Sequence, residues 1–278
     1  MDEITRLYPL PVHQRPLVGT YLDHNLREIN LAEGKTSVIA NFVCSLDGRI
    51  AIREPQTSNM VVPSNIANSR DWRLFQELAA QADLIISSGR YLRDWANNQA
   101  QEILRVDDPE FADLKEWRLA QNLSPQPDLA IVSGSLNFPM PEVLTAGGRK
   151  VIIFTTANPD MRRVREIESK AAQVFEAGEE SVSGRLMVEQ LTELGYRTIY
   201  SAAGPKILHL LLKDDVLDRL YLTYANRLLG GQSYSTILEG GLLSPEIGMT
   251  INSVYLDSQG LDGLGQLFVS YNRANSMK

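Results

Sequence analysis

Short apolar runs recur along the chain, separated by stretches whose hydrophobic residues return at helical spacing. Strands are expected at residues 37–44, 83–90, 129–133, 151–155, 198–201 and 217–224, several ending in small or polar residues. Between them, Trp72, Phe75, Leu78 and Ala79 mark a helix running to Ala82, with Ser64 after Pro63 as its expected N-cap. Further helices are expected near 109–123, at 161–170, over 186–194 (capped by Ser183, ended by Gly195) and over 206–213 behind Pro205. Residues 93–127 otherwise read as polar. Residues 172–175 suggest a short edge strand, and 254–256 and 266–271 the last strands. This alternation predicts an α/β domain whose central sheet is mostly parallel, flanked by helices, with an antiparallel C-terminal part. Pro9, Pro11 and Pro16 punctuate an extended N-terminal arm over 1–36 with a short helix near 25–31; 37–278, free of long linkers, reads as one domain.

Composition narrows the function classes. The chain is 44% hydrophobic and 22% charged, with a formal net charge of -7. That balance argues against general binding to nucleic acid or membrane surfaces, and an anionic ligand would need a local cluster of donors. Cys44 is the single cysteine, which excludes an internal disulfide and fits a reducing compartment. With no apolar run long enough to span a bilayer and no basic-apolar leader, a cytoplasmic protein is expected. His13, His24 and His209 are too scattered to suggest a zinc site, and no G-x-S-x-G elbow occurs.

Candidate chemistry lies at three strand ends: Ser45-Leu46-Asp47-Gly48, Ser87-Ser88-Gly89-Arg90 and Ala202-Ala203-Gly204-Pro205. In a parallel sheet such ends share one edge and can converge on one crevice. Gly204-Pro205-Lys206 could cradle a phosphate at a helix start, or be a plain strand-to-helix turn. Arg90 could bind a second phosphate, or be a solvated arginine. Asp47 could orient a substrate or relay a proton, or form a tight turn with Gly48. The dinucleotide fingerprint G-x-G-x-x-G is missing, so a nicotinamide cofactor would require another fold.

Several segments together resemble the reductase domain of riboflavin biosynthesis, the C-terminal half of the bifunctional deaminase–reductase. They are FVCSLDGRIA (42–51), ADLIISSGR (82–90), LAIVSGSLNFP (129–139), VIIFTT (151–156) and the stretch 200–231, and the likeness covers 37–272. The resemblance implies a dihydrofolate-reductase-like fold, a homodimer, NADPH as hydride donor and a phosphoribosylamino-pyrimidine whose ribosyl group becomes ribityl. That substrate would be 5-amino-6-(5-phosphoribosylamino)uracil or its 2,5-diamino analogue. The deaminase signatures H-x-E and P-C-x-x-C are absent from the sequence. By the resemblance, Val43, Cys44, Met60, Ser88, Gly89, Arg90, Ser133, Gly134, Gly204, Pro205, Lys206 and Ile207 are expected at the cofactor. Thr57, Ser58 and Asn59 are expected at the substrate, and Asp47 in the catalytic turn. The family's substrate-contacting glutamate is replaced by Ala202, and Tyr91 and Trp95 stand where it carries a threonine and an aspartate. These departures leave open a related reductase with another pterin, pyrimidine or carbonyl substrate, or a non-catalytic nucleotide-binding dimer.

Overall fold

The computed structural model describes residues 2–54, 60–145, 148–170 and 172–274. The chain enters through β1 (Glu3–Tyr8), β2 (His13–Pro16) and α1 (Leu26–Glu33). It then forms β3 (Ser37–Ser45), β4 (Ala51–Arg53), β5 (Met60–Val61), α2 (Ser69–Gln81), β6 (Leu84–Ser88) and α3 (Gly89–Ala96). Next come α4 (Ala112–Ala120), β7 (Asp128–Val132), β8 (Val151–Thr155), α5 (Met161–Glu168) and β9 (Ala172–Glu176). The last part holds α6 (Gly184–Glu193), β10 (Thr198–Ser201), α7 (Pro205–Lys213), β11 (Arg219–Ala225), β12 (Tyr234–Ser235), β13 (Met249–Asp257) and β14 (Gln266–Arg273).

Eleven strands make one sheet in the order β2-β1-β13-β14-β11-β3-β10-β6-β7-β8-β9. From β11 to β9 every neighbouring pair is parallel, and from β11 to β2 every pair is antiparallel. The α/β class, the largely parallel sheet and the antiparallel C-terminal part therefore stand as expected. The parallel strands are sandwiched: all residues of β8 and β10 are buried, as strands covered on both faces must be. Leu74 and Leu78 of α2 join the core on one face, with Leu114 of α4 and Val164 and Ile167 of α5. Met187 and Leu191 of α6 and Leu208 and Leu211 of α7 fill the core on the other face. Among the described residues no helix is long and apolar enough to cross a membrane.

Three local expectations are corrected. The second helix is capped by Asn68, whose side chain accepts from the amides of Arg70 and Asp71, and not by Ser64. Pro63 opens a turn instead, accepting from the amides of Ile66 and Ala67 and placing Ile66 in the interior before the helix can start. Residues 89–96 form a helix inside a region that read as a turn and polar loop; it buries only Gly89 and Leu92, too few for a readable period. The segment expected as one helix over 109–123 is a 3-10 turn, Pro109–Phe111, running into α4. Replacing Asn68 with alanine removes the cap and should lower stability by about 1–2 kcal/mol in urea unfolding.

The N-terminal segment packs firmly on the sheet and on α2. β1 pairs with β13, and the Glu77 carboxylate of α2 accepts from the amides of Gly19 at 2.6 Å and Tyr21 at 2.8 Å. Arg73 closes that carboxylate at 2.9 Å, and Gln81 bonds both the Leu26 amide and the Tyr21 carbonyl. The arm thereby fixes the helix that carries Asp71, a buried carboxyl group.

Candidate active site

Two cavities open at the C-terminal edge of the parallel strands and share Met60, Arg90, Gly204, Pro205 and Ser235. The first measures about 530 Å3 and is lined by the ends of β6 and β7 and the start of α7: Ser88, Gly89, Arg93, Ser133, Lys206 and Ile207 complete its main surfaces. The second, about 490 Å3, lies over β3 and is walled by Asn41, Val43, Asp71, Trp72, Phe75 and Ala202.

The first cavity has the chemistry of a nucleotide-phosphate site. Its floor is the N-terminus of α7, where Pro205 stands in the first turn and no side chain caps the helix. A Cβ on Gly204 would meet nothing within 4 Å, so the space over the helix start is open to a ligand. Arg90, Arg93 and Lys206 bring three cations to its wall, while Glu239 adds one carboxylate. Arg90 is paired with Asp94 at 3.3 Å and bonded to the Met60 carbonyl at 3.3 Å, and Arg93 bonds the Asn137 carbonyl. Lys206 is exposed and has no ion pair among the described residues. An uncapped helix start, an open approach and three cations fit the pyrophosphate and 2′-phosphate of NADPH. Gly89 has a different reason to be glycine. A Cβ there would press on Phe138 at 3.0 Å and on the Ser133 hydroxyl at 3.1 Å, so its role is close packing of α3 on the β7 loop.

The second cavity is apolar with few polar groups. Trp72 and Phe75 stack at 4.8 Å and 11° on its wall, a surface suited to a flat ring. Asp71, in the first turn of α2, is 7% exposed and reaches the cavity. One of its oxygens bonds the Thr223 hydroxyl of β11, and Oδ1 has no hydrogen-bond partner among the described residues. Burial pushes the Asp71 carboxyl up to about 6, with the Thr223 bond pulling partly back. Asn41 of β3 lines the same cavity and its amide bonds nothing among the described residues. An apolar pocket with a poised carboxyl and a free amide is a typical small-molecule site.

The residues singled out from sequence fall into four groups. Met60, Ser88, Gly89, Arg90, Ser133, Gly204, Pro205, Lys206 and Ile207 come together in the first cavity, and Val43 lies in the second. Gly134 lies outside both linings, although Ser133 and Ser135 on either side belong to the first. Cys44 and Asp47 line neither cavity. Thr57, Ser58 and Asn59 lie outside the described residues.

Cys44 is alternate to Val43 on β3, so its thiol enters the core of the opposite face, where burial raises it to about 11. Asp47 is held by the backbone it turns. Its carboxylate accepts from Ser45, from the amides of Gly230 at 2.8 Å and Leu229 at 3.2 Å, and from Arg49. The Ser45 hydroxyl above all, and then those amides, hold it down to about 2. Gly48 follows at φ +78°, the left-handed position that Asp-Gly turns need. Asp71 and Asn41 went unnoticed because neither sits in a turn motif: Asp71 is one acidic residue among the polar positions of an amphipathic helix. Tyr91 and Trp95 stack edge to face at 5.8 Å and pack α3 on the core, outside both cavities.

A model of the RibD C-terminal domain matches residues 36–261. No curated protein matches the sequence. Among solved structures, the chain is similar to a pyrimidine reductase-like protein from Corynebacterium diphtheriae, with TM-score 0.66, 18% identity and coverage of 89% of this chain and 94% of that one. It is also similar to the diaminohydroxyphosphoribosylaminopyrimidine deaminase/5-amino-6-(5-phosphoribosylamino)uracil reductase of Thermotoga maritima, with TM-score 0.58, 12% identity and coverage of 90% and 60%. The riboflavin biosynthesis reductase Rib7 of Saccharomyces cerevisiae gives TM-score 0.52, 15% identity and coverage of 92% and 99%. At such identities these likenesses establish a shared fold.

Proposed function

The chain belongs to the RibD C-terminal domain family, and from that premise we propose that it is an NADPH-dependent reductase of the pyrimidine reductase type. The proposed reaction converts the ribosyl group of a phosphoribosylamino-pyrimidine to ribityl. The observation that carries this reading is the meeting of the two cavities at Gly204 and Pro205, one basic over a helix start, the other apolar with a buried carboxyl.

NADPH, when bound, supplies hydride. The chain supplies binding, orientation and the proton. Lys206, Arg90 and the start of α7 take the phosphates, Gly204 lets them approach the backbone, and Val43 and Met60 flank the junction where the two ligands meet. Trp72 and Phe75 support the substrate ring, Asn41 offers it a donor and an acceptor, and Asp71 protonates the substrate nitrogen as the imine carbon is reduced. We assign the proton to Asp71 instead of Asp47 because Asp71 alone of the two reaches a cavity.

Titration with NADPH should quench tryptophan fluorescence, since Trp72 borders the site. The double substitution of Arg90 and Lys206 by alanine is expected to weaken NADPH by roughly 10- to 100-fold, with a smaller effect on NADH. Absence of any quenching in the wild type overturns the cofactor assignment.

A second reading has its own observation. Ala202, where the family has a glutamate, makes that part of the substrate wall apolar. This favours a related reductase acting on a less polar pyrimidine, pterin or carbonyl compound. Rescue of a riboflavin-requiring strain lacking only the reductase excludes that switch, and failure to rescue with intact NADPH binding supports it.

A further inference from the structure

Glu239 is out of place in a cavity built for phosphate. Arg90, Arg93 and Lys206 gather around the start of α7, yet Glu239 lines the same space. It balances none of these cations. Arg90 pairs with Asp94, Arg93 bonds the Asn137 carbonyl, and Glu239 has no ion pair or side-chain hydrogen bond among the described residues. A carboxylate only accepts hydrogen bonds, so at this wall it repels a bare phosphate and gains nothing from it.

The segment that carries Glu239 is nevertheless fitted closely to α7. Ser235, at its start, pairs with Ala51 and lines both cavities. Ile237 and Leu238 pack against the core that α7 joins through Leu208 and Leu211. The Glu239 amide donates to the Pro205 carbonyl at 3.4 Å, and His209 Nε2 donates to the Gly241 carbonyl at 2.7 Å. Pro205 and His209 stand four residues apart and share one face of α7, so residues 239–241 run along that face. Gly240 passes directly over the His209 ring, and a Cβ there would come within 2.3 Å of it. Glu239 is thereby held beside the first turn of the helix that floors the phosphate site.

The ligand group that suits a carboxylate in this position is a neutral one with hydroxyl donors next to a phosphate. The vicinal hydroxyls of a ribose have that chemistry, since both can donate to one carboxylate. NADPH has two riboses. One bears the 2′-phosphate, which a carboxylate repels; the other, attached to the nicotinamide, keeps both hydroxyls. Glu239 is bonded to Pro205, which both cavities share, so it stands near the junction where the nicotinamide must lie. We propose that Glu239 accepts the hydroxyls of the nicotinamide ribose and makes the first cavity select a nucleotide over free pyrophosphate. The inference rests on the reductase reading and deepens it. Lys206 and the helix start take the anion, Glu239 takes the diol, and only a ligand offering both satisfies the cavity. Glu239 has no part in hydride transfer; it is a specificity-determining residue.

Calorimetric titration of the full chain with NADPH, adenosine 2′,5′-bisphosphate and inorganic pyrophosphate tests the assignment. Glu239 is half-buried and lies outside the core, so Glu239→Ala should fold normally. That variant should bind NADPH about tenfold more weakly, the loss of a charge-assisted hydrogen bond. Adenosine 2′,5′-bisphosphate, which lacks the nicotinamide ribose, should bind no more weakly than to the wild type, and pyrophosphate should bind several-fold more tightly. Glu239→Gln, which keeps an acceptor oxygen without the charge, should lose less NADPH affinity than the alanine variant and gain pyrophosphate affinity alike. Tighter binding of all three ligands to Glu239→Ala would mean that the carboxylate only repels anions, and weaker binding of all three that it only supports the fold; either overturns the proposal. A wild type that binds NADPH no better than the alanine variant does overturns it alone. A wild type that binds pyrophosphate but not NADPH overturns the reductase reading, and this assignment with it.

Discussion

Replacing Asp71 with asparagine is expected to slow the proposed reduction by roughly 10²- to 10⁴-fold, the usual contribution of a positioned general acid. NADPH affinity should hardly change, because Asp71 lines the second cavity and not the first. The same substitution should make the protein more stable at neutral pH. The folded-state carboxyl sits at about 6, above its ordinary value of 3.8, because burial disfavours its charge. Above about 6 the native protein holds a buried carboxylate; below the unfolded value both states are protonated and the cost is gone. Asparagine imitates the neutral form, so its stabilising effect should reach about 3 kcal/mol near pH 8 and vanish toward pH 3. Urea unfolding at several pH values measures this. Activity should follow the protonated fraction, so kcat/KM of the wild type should fall as pH rises through about 6. A variant that lost activity and stability together at pH 8 would contradict the assignment of Asp71 as a strained, functional acid.

Arg118→Met should be the most damaging single change to the fold. The guanidinium is 1% exposed and donates to three carbonyls, those of Ala80 at 2.7 Å, Ala82 at 2.8 Å and Ser124 at 2.8 Å. Ala80 and Ala82 lie at the end of α2 and just beyond it, so Arg118 closes that helix from α4 and sets the start of β6. Burial lowers Arg118 to about 10, which keeps it charged at neutral pH. Methionine has a comparable length and no donors. It leaves three interior carbonyls short of a partner, and a loss of about 3–5 kcal/mol is expected in chemical unfolding. The effect on NADPH affinity at temperatures where the variant stays folded should be small, since α7 is remote from the change.

The frame of the molecule was legible in the chain because its parallel strands are continuous apolar runs. Residues 151–155 and 198–201 were readable to the residue, as were Ser183 as a cap and Pro205 as a helix start. The first cavity was legible for the same reason: Ser88, Gly89, Gly204 and Lys206 line it where strands stop and helices start, and such junctions mark the sequence with small residues. The polar groups of the second cavity were hidden. Asp71 and Asn41 are single polar residues inside a regular helix and a regular strand, and only the sheet order brings them together. Asp47, conspicuous in its turn, has a carboxylate occupied by the Leu229 and Gly230 amides. A local sequence reading shows that a carboxylate is present but not whether distant amides have already taken its lone pairs.

The bonds from Glu77 to the Gly19 and Tyr21 amides bear on how far this protein can be shortened. The family match begins at residue 36 and ends at 261, yet both boundaries cut through physical support. Trimming at the first would strip the Glu77 carboxylate of its backbone donors one turn and a half from Asp71, and would take Tyr21 and His24 with it. Trimming at the second would remove β14 from between β11 and β13 and open the sheet in the middle. The segment recognisable by descent and the unit held together by these bonds are different lengths of chain, and the helix that carries Asp71 is braced by the longer one.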